Sequence, residues 1–298
     1  MTSWWSAPRR VAGLLAVVGL LVWSGCSVEG RPDPNDRLDV PTYEVVDADG
    51  RQVVLEGPAR RVVSLVPSAS ETLHALGRSD ALVGRTDFDT ASWASPIPSV
   101  GGGLEPSLEA IVALAPDLVI RFGGEQDTRT PARLDDLGIA HMAVRPDDIE
   151  DIYRTIDLVG WAVGAGARTD SLEAAVRSGL EEAAARVSGL PRVRAAFVLD
   201  GSPPWVAGPG TFIDEVMALM GGDNAFGDLE ALYAPVSPEQ LRQRSIDVVL
   251  LGGTGPFDAS LVPGARIERA GAALDLPGPG VVGAARRIGE LLHGRAHE

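Results

Sequence analysis

The chain has no lysine, and each scarcity in it removes a class of function. Cys26 is the only cysteine in 298 residues, so no internal disulfide can form and the fold must rest on a hydrophobic core. All 26 basic residues are arginine, a bias that fits a GC-rich genome, and they face 41 acidic ones for a formal charge of −15. Such a surface repels nucleic acid and offers no basic patch to a phosphate backbone. Histidine occurs four times, at 74, 141, 293 and 297. There is no HExxH pair and no second thiol for a Cys/His site. His74 lies in an apolar helix and reads as a packed or rim residue, while His293 and His297 fall in the last turn and tail. A P-loop is missing, and the "GGTGPF" after the strand at 248–251 lacks dinucleotide-turn spacing. No carboxylate pair is singled out by its spacing for acid–base work. The sequence calls for no enzyme, no metal and no resident cofactor.

The apolar run near the start, Val11–Val22, is 12 residues long, short of the roughly 20 needed to cross a bilayer as a helix. It follows Arg9 and Arg10, which is the layout of an export signal over residues 1–25. Ser24 and Gly25 precede Cys26, and this stretch resembles the lipobox of bacterial lipoproteins, although Trp23 stands where leucine is usual. The resemblance implies that Cys26 is acylated and becomes the N-terminus, anchoring the protein to a membrane. An ordinary secretory signal cut nearby, leaving an incidental thiol, is the alternative. Residues 26–40 ("CSVEGRPDPNDRLDV") have too little apolar content to fold and read as a tether spanning on the order of 20 Å.

Beyond the tether the pattern is orderly. "YEVVDADGRQVVLE" alternates around Asp49-Gly50, a hairpin signal. "RRVVSLV", "ETLHALG", "DALVGRTDF", "PSLEAIVALAPDLVIRF" and "ARLDDLGIAHMAV" then alternate strand and helix, which predicts a mostly parallel sheet covered by helices. From Asp148 to Val187 the spacing of Ile152, Ile156, Val159 and Val163 predicts a long helical tract, with Gly164 and Gly166 as points of interruption. The alternation resumes after Pro191 with "RAAFVLD", a loop "GSPPWVAGPG", the helix "TFIDEVMALMGG" and "SPEQLRQRSIDVVLL".

The two halves repeat. Ser107, Glu109 and Asp117 precede one strand; Ser237, Glu239 and Asp247 precede another, each pair offset by 130 residues. Glu71 to Gly77 and Glu215 to Gly221 share one interval. The expected fold is α/β: two Rossmann-like β/α lobes (41–147 and 191–298) joined by a single long backbone helix (148–190), with the ligand cleft between the lobes.

In open α/β sheets ligands sit beyond the carboxyl ends of the strands. Phe88, Trp93, Phe122, Trp205, Tyr233 and Phe257 all fall in such segments, in both halves, although aromatics are only 5% of the chain. Large rings on both walls of a cleft suit a bulky, partly apolar ligand. Phe197, Phe212 and Trp161 are expected in the core. Glu109 and Glu239 stand near the starts of matched short helices, where a carboxylate complements the helix dipole. Their twin placement fits docking onto a symmetric, basic partner.

"RRVVSLVPSASETLHALG", "LVGRTDFD", "IPSVGGGLEPSLEAIVALAPDLVI" and "GTFIDEVMALMGGDNAF…VSPEQL" together resemble the periplasmic binding proteins with a helical backbone, receptors of ABC importers for cobalamin, haem and ferric siderophores. The likeness runs over about residues 43–295. It implies two rigid lobes with small hinge motion and a ligand held between them. It also implies a monomer whose Glu109 and Glu239 dock onto arginines of a permease dimer that works with an ATPase. "VGRTDFD" with "SVGGGLEPSLE" is most similar to the cobalamin-binding branch, which implies a corrinoid enclosed by Phe88, Phe122, Trp205 and Tyr233, with Trp93 a further candidate from its place in the same kind of segment. One departure is Gly280, where an arginine often follows proline.

Other ligands make different demands. Haem calls for an axial ligand, and Tyr233 is the loop candidate. A ferric siderophore favours an arginine-lined cleft, built from Arg85, Arg121, Arg129 or Arg145. Zinc or manganese needs three or four converging His and carboxylate ligands. An exported α/β hydrolase would need His74 or His141 in the cleft beside a nucleophile.

Overall fold

A computed structural model of the chain describes residues 43–124, 127–199, 201–271 and 276–294. The export segment, Cys26, the tether and His297 lie outside the described residues. Strands β1 (Tyr43–Val46) and β2 (Gln52–Leu55) form the expected hairpin. Its turn is closed by Asp47, whose Oδ1 accepts the N–H groups of Asp49 and Arg51 at 3.0 and 2.9 Å.

The first lobe follows: β3 (Val62–Ser64), α1 (Pro67–Ala75), β4 (Leu82–Gly84), α2 (Leu108–Ala113), β5 (Leu118–Phe122), α3 (Arg129–Asp136) and β6 (His141–Val144). Its parallel sheet has the order β4-β3-β5-β6. Successive strand residues point to opposite faces, and the core divides accordingly. Val62, Leu118, Ile120 and Met142 face one helical layer; Val63, Leu65 and Val119 face the other.

Two helices come next, α4 (Ile149–Ala162) and α5 (Ala167–Val187). The tract expected as one connecting helix is therefore divided, because Gly164 and Gly166 take φ of 62° and 50°, a left-handed turn that ends one helix before the next begins. At 21 residues α5 is about 31 Å long. Both helices run between the two cores. Ile152, Tyr153 and Ile156 of α4 join the second lobe's core, whereas Leu158, Val159 and Ala162 join the first. On α5, Leu172 touches both, and Val176, Leu180 and Ala183 lie in the second.

The second lobe comprises β7 (Val193–Val198), β8 (Trp205–Ala207), α6 (Phe212–Leu219), β9 (Gly222–Asn224), β10 (Tyr233–Pro235), α7 (Pro238–Gln243), β11 (Val248–Leu251), β12 (Arg266–Arg269) and α8 (Val281–His293). Parallel strands β9, β7, β11 and β12 repeat the first sheet's arrangement. The segments of Trp205 and Tyr233, expected as loops, are instead short strands. β8 pairs antiparallel with β7 and with β10, placing Tyr233 opposite Ala207 and Pro235 opposite Trp205. The prolines around them favour extended backbone without preventing pairing at a sheet edge.

Candidate ligand cleft

The chain leaves five of the parallel strands at one mouth. Leu65 follows β3, Phe122 ends β5, Arg145 follows β6, Leu199 follows β7 and Gly252 follows β11; all five line one of two adjoining hollows. This is where open α/β sheets place ligands. One hollow, about 760 Å³, lies mainly against the second lobe; the other, about 890 Å³, lies mainly against the first. Phe122 and Pro277 line both, so the two are parts of one cleft. Each alone is at the upper end of the range for a drug-sized ligand.

The hairpin props the floor of this cleft. Asp49 Oδ1 accepts the Gly124 N–H at 2.7 Å, and Asp49 Oδ2 accepts from Arg121 at 2.8 Å. Arg121 is 2% exposed, and its Nε donates to His141 Nδ1 at 3.0 Å. His141 Nε2 lies 3.1 Å from Asp135 and 2.7 Å from Arg51. Burial, with Arg51 and Arg121 adding to it, holds the His141 imidazole below its ordinary pKa. Asp49, Arg51, Arg121, Asp135 and His141 line neither hollow and support the cleft through Gly124, which lines one of them.

All five expected aromatic residues line the cleft. Trp205 and Tyr233 stand on the second lobe, Phe88 and Trp93 on the first, and Phe122 between them. Phe88 and Trp205 are 66% and 45% exposed, a large apolar surface with nothing packed on it. Trp93 is backed by His74, the rings parallel within 4° and 4.2 Å apart, and His74 Nδ1 is 2.9 Å from Ser79 Oγ. Burial, with the charge of Asp147, pushes the Tyr233 phenol up to about 12. Phe197 and Phe212 are core residues as expected, and they also line the cleft. Trp161 packs on Tyr43, ring centroids 5.9 Å apart. Phe257 lines a third hollow beyond β7 and β11, which meets the cleft at Leu199 and Gly253, and it packs on that side's core.

The polar lining is acidic. Glu71, Asp89 and Glu105 face the first hollow wall, and Asp147 the second. Of the four arginines considered for an anionic ligand, Arg145 alone lines the cleft, and it is paired with Asp147 at 2.6 Å. Arg85 donates to the carbonyls of Ala94 and Thr86, Arg121 is buried in the hairpin network, and Arg129 pairs with Glu105 on the surface. Neither His74 nor His141 lines a hollow, so the hydrolase reading has no histidine in the cleft. Among the described residues no group of three or more His, Cys, Asp or Glu side chains could hold a metal ion.

Sequence reasoning passed over Glu71, Ser68, Leu276 and Pro277 as cleft residues. The shared interval of Glu71 and Glu215 was the available signal.

Glu109 and Glu239 occupy matching places. Ser107 Oγ accepts the Ala110 N–H and Ser237 Oγ the Gln240 N–H, both at 3.2 Å, so each glutamate is exposed in the first turn of a capped helix. Glu239 pairs with Arg242 of its own helix at 3.0 Å.

Residues 62–262 match the family described as periplasmic binding protein. The chain belongs to that family. It is 27% identical over 235 residues to an ABC transporter substrate-binding lipoprotein of Bacillus subtilis, YvrC, covering 74% of each. It is 30% identical over 212 residues to a cobalamin-binding protein of Halobacterium salinarum, covering 69% of this chain and 57% of that one. Among solved structures, the vitamin B12 binding protein BtuF of Vibrio cholerae superposes with a TM-score of 0.70 at 23% identity, over 79% of this chain and 97% of that one. The haem-binding protein RhuT of Roseiflexus superposes at 0.69 and 25% identity, over 79% and 100%. The two-lobed fold is thus that of the periplasmic binding proteins.

Proposed function

We propose that this chain is the ligand-capturing subunit of an ABC importer, that its ligand is cobalamin or a related corrinoid, and that it does no chemistry on it. The observation that carries the choice of ligand is the lining of the cleft: aromatic rings on both walls, four carboxylates and one arginine already paired. A corrinoid is a large ring edged with neutral amides, whose N–H groups find acceptors there. Haem carries two carboxylates, and these would meet Glu71, Asp89 and Glu105 without a free cation. Ferric siderophores lose support because Arg145 is the single arginine among the described residues that line the cleft. The cobalamin-binding and vitamin B12 binding relatives point the same way.

The rest of the reading concerns placement. The chain is exported, acylated at Cys26 and held by the 26–40 tether as a monomer, with lobes at 41–147 and 191–298 on either side of 148–190. Phe88, Trp93, Phe122, Trp205 and Tyr233 enclose the ligand, while Glu109 and Glu239 dock onto a permease dimer that works with its ATPase. Calorimetric titration of cyanocobalamin and of hemin tests the ligand. Saturable one-to-one binding of cyanocobalamin with weak or no hemin binding is expected, and the reverse order would overturn the corrinoid reading while leaving the receptor.

A further inference from the structure

Glu71 sits midway along α1 on the first lobe and lines the cleft. Its carboxylate reaches the start of α8, the closing helix of the second lobe, where it accepts the Gly280 N–H. The approach is so close that a Cβ on Gly280 would lie 2.7 Å from Glu71 Oε1, and a Cβ on Gly278 would lie 2.7 Å from Oε2. This explains the missing arginine at position 280: the carboxylate occupies the space that any side chain there would enter. α8 has no capping side chain of its own at Gly280, so Glu71 of the opposite lobe supplies an acceptor that a helix start otherwise lacks.

A second observation points to a ligand at the same spot. Ser68, one turn earlier on α1, lines the same hollow and is 2% exposed, yet its hydroxyl has no hydrogen-bond partner. Buried hydroxyls are normally paired. A carboxylate has roughly four lone-pair sites, and the bond to Gly280 uses one.

We propose that Glu71 is a ligand-positioning residue that ties the two lobes together: it holds the start of α8 and, with Ser68, takes a hydrogen-bond donor of the ligand, an amide N–H in a corrinoid. Ligand thereby completes a bridge between the lobes at this end of the cleft. The corrinoid part rests on the function proposed above; the tie between lobes does not.

The full chain in detergent, with cyanocobalamin and hemin as probes, separates these. Glu71→Ala should speed hydrogen exchange across 276–284 about tenfold in the ligand-free protein and weaken cyanocobalamin binding by about tenfold, the loss of one hydrogen bond to a charged acceptor. Glu71→Gln, which keeps an acceptor, should recover part of both. Ser68→Ala should weaken binding and leave exchange unchanged. Should Glu71→Ala fold poorly, Gly280→Ala, which displaces the carboxylate from the other side, should give the same faster exchange and weaker binding. Unchanged exchange, or unchanged affinity for a probe that wild type binds, overturns the proposal. A wild-type protein that ignores cyanocobalamin and binds hemin overturns the corrinoid reading alone, and the same variants titrated with hemin then decide the role of Glu71. If neither probe binds, exchange across 276–284 decides it.

Discussion

Asp117 and Asp247 make the same pair of bonds in the two lobes. Asp117 accepts the Arg61 N–H and Asp247 the Arg194 N–H, both at 3.0 Å. Each returns its own N–H to that residue's carbonyl, at 2.9 and 2.8 Å. The bonds fix the ends of α2 and α7 against the first strand of each sheet, so the repeat seen at an offset of 130 residues is a repeat in space.

Glu109 and Glu239 inherit that equivalence. Replacing both by alanine should abolish uptake in vesicles carrying the cognate permease, with ligand affinity unchanged and stability altered by no more than about 0.5 kcal/mol, as for exposed side chains generally. Uptake that survives the double change would remove the docking assignment.

Trp205 is 45% exposed and lines the same hollow as Phe122. Trp205→Ala and Phe122→Ala should each cost about 2 kcal/mol of binding, roughly thirtyfold in Kd. Phe257→Ala should cost less than either, because Phe257 lines the adjoining hollow beyond β7 and β11 and neither of the two that share Phe122. Titration calorimetry on the three variants reads this directly.

The His141 network gives a pH dependence of known sign. The folded pKa is held below the ordinary 6.5, so the folded state binds fewer protons than the unfolded state just below that value. Stability is therefore full above about 6.5 and falls as pH drops toward the folded pKa. Glu71 and Glu215 act the other way, since burial raises both and their protonation at lower pH favours the fold. Melting temperatures from pH 8 downward should decline first below about 6.5, and His141→Asn should flatten that first decline.

Where α4 passes α5, Gly160 leaves no room for a side chain. A Cβ there would lie 2.1 Å from Thr169 Oγ1 and 2.6 Å from its Cγ2, and a β-branched side chain has little freedom to turn away. Gly160→Ala should destabilise by about 1–3 kcal/mol, measured by denaturant titration, and Thr169→Gly should relieve most of that loss.

Local signals carried much of this architecture. The Asp49-Gly50 hairpin, the short helices beginning near Glu109 and Glu239 and the strand at Leu118–Phe122 were legible because each depends on residues a few positions apart. The aromatic cleft residues were legible from their place after strands. Trp205 and Tyr233 were misplaced as loops because a three-residue strand has too few side chains to alternate. Pro277 and the meeting of Glu71 with Gly280 were hidden for another reason: they come together in the cleft from distant segments, and no spacing in the chain records that contact. The same holds for Arg121, whose burial depends on a hairpin tip 72 residues away.

The passage of α4 and α5 through both cores bears on how the molecule comes apart. Ile152 and Val159, two turns apart on one helix, are buried in different lobes, and Leu172 belongs to both. Unravelling either core strips the other of side chains that complete it. The lobes are therefore not independent folding units, and calorimetry should register one cooperative transition with equal calorimetric and van't Hoff enthalpies.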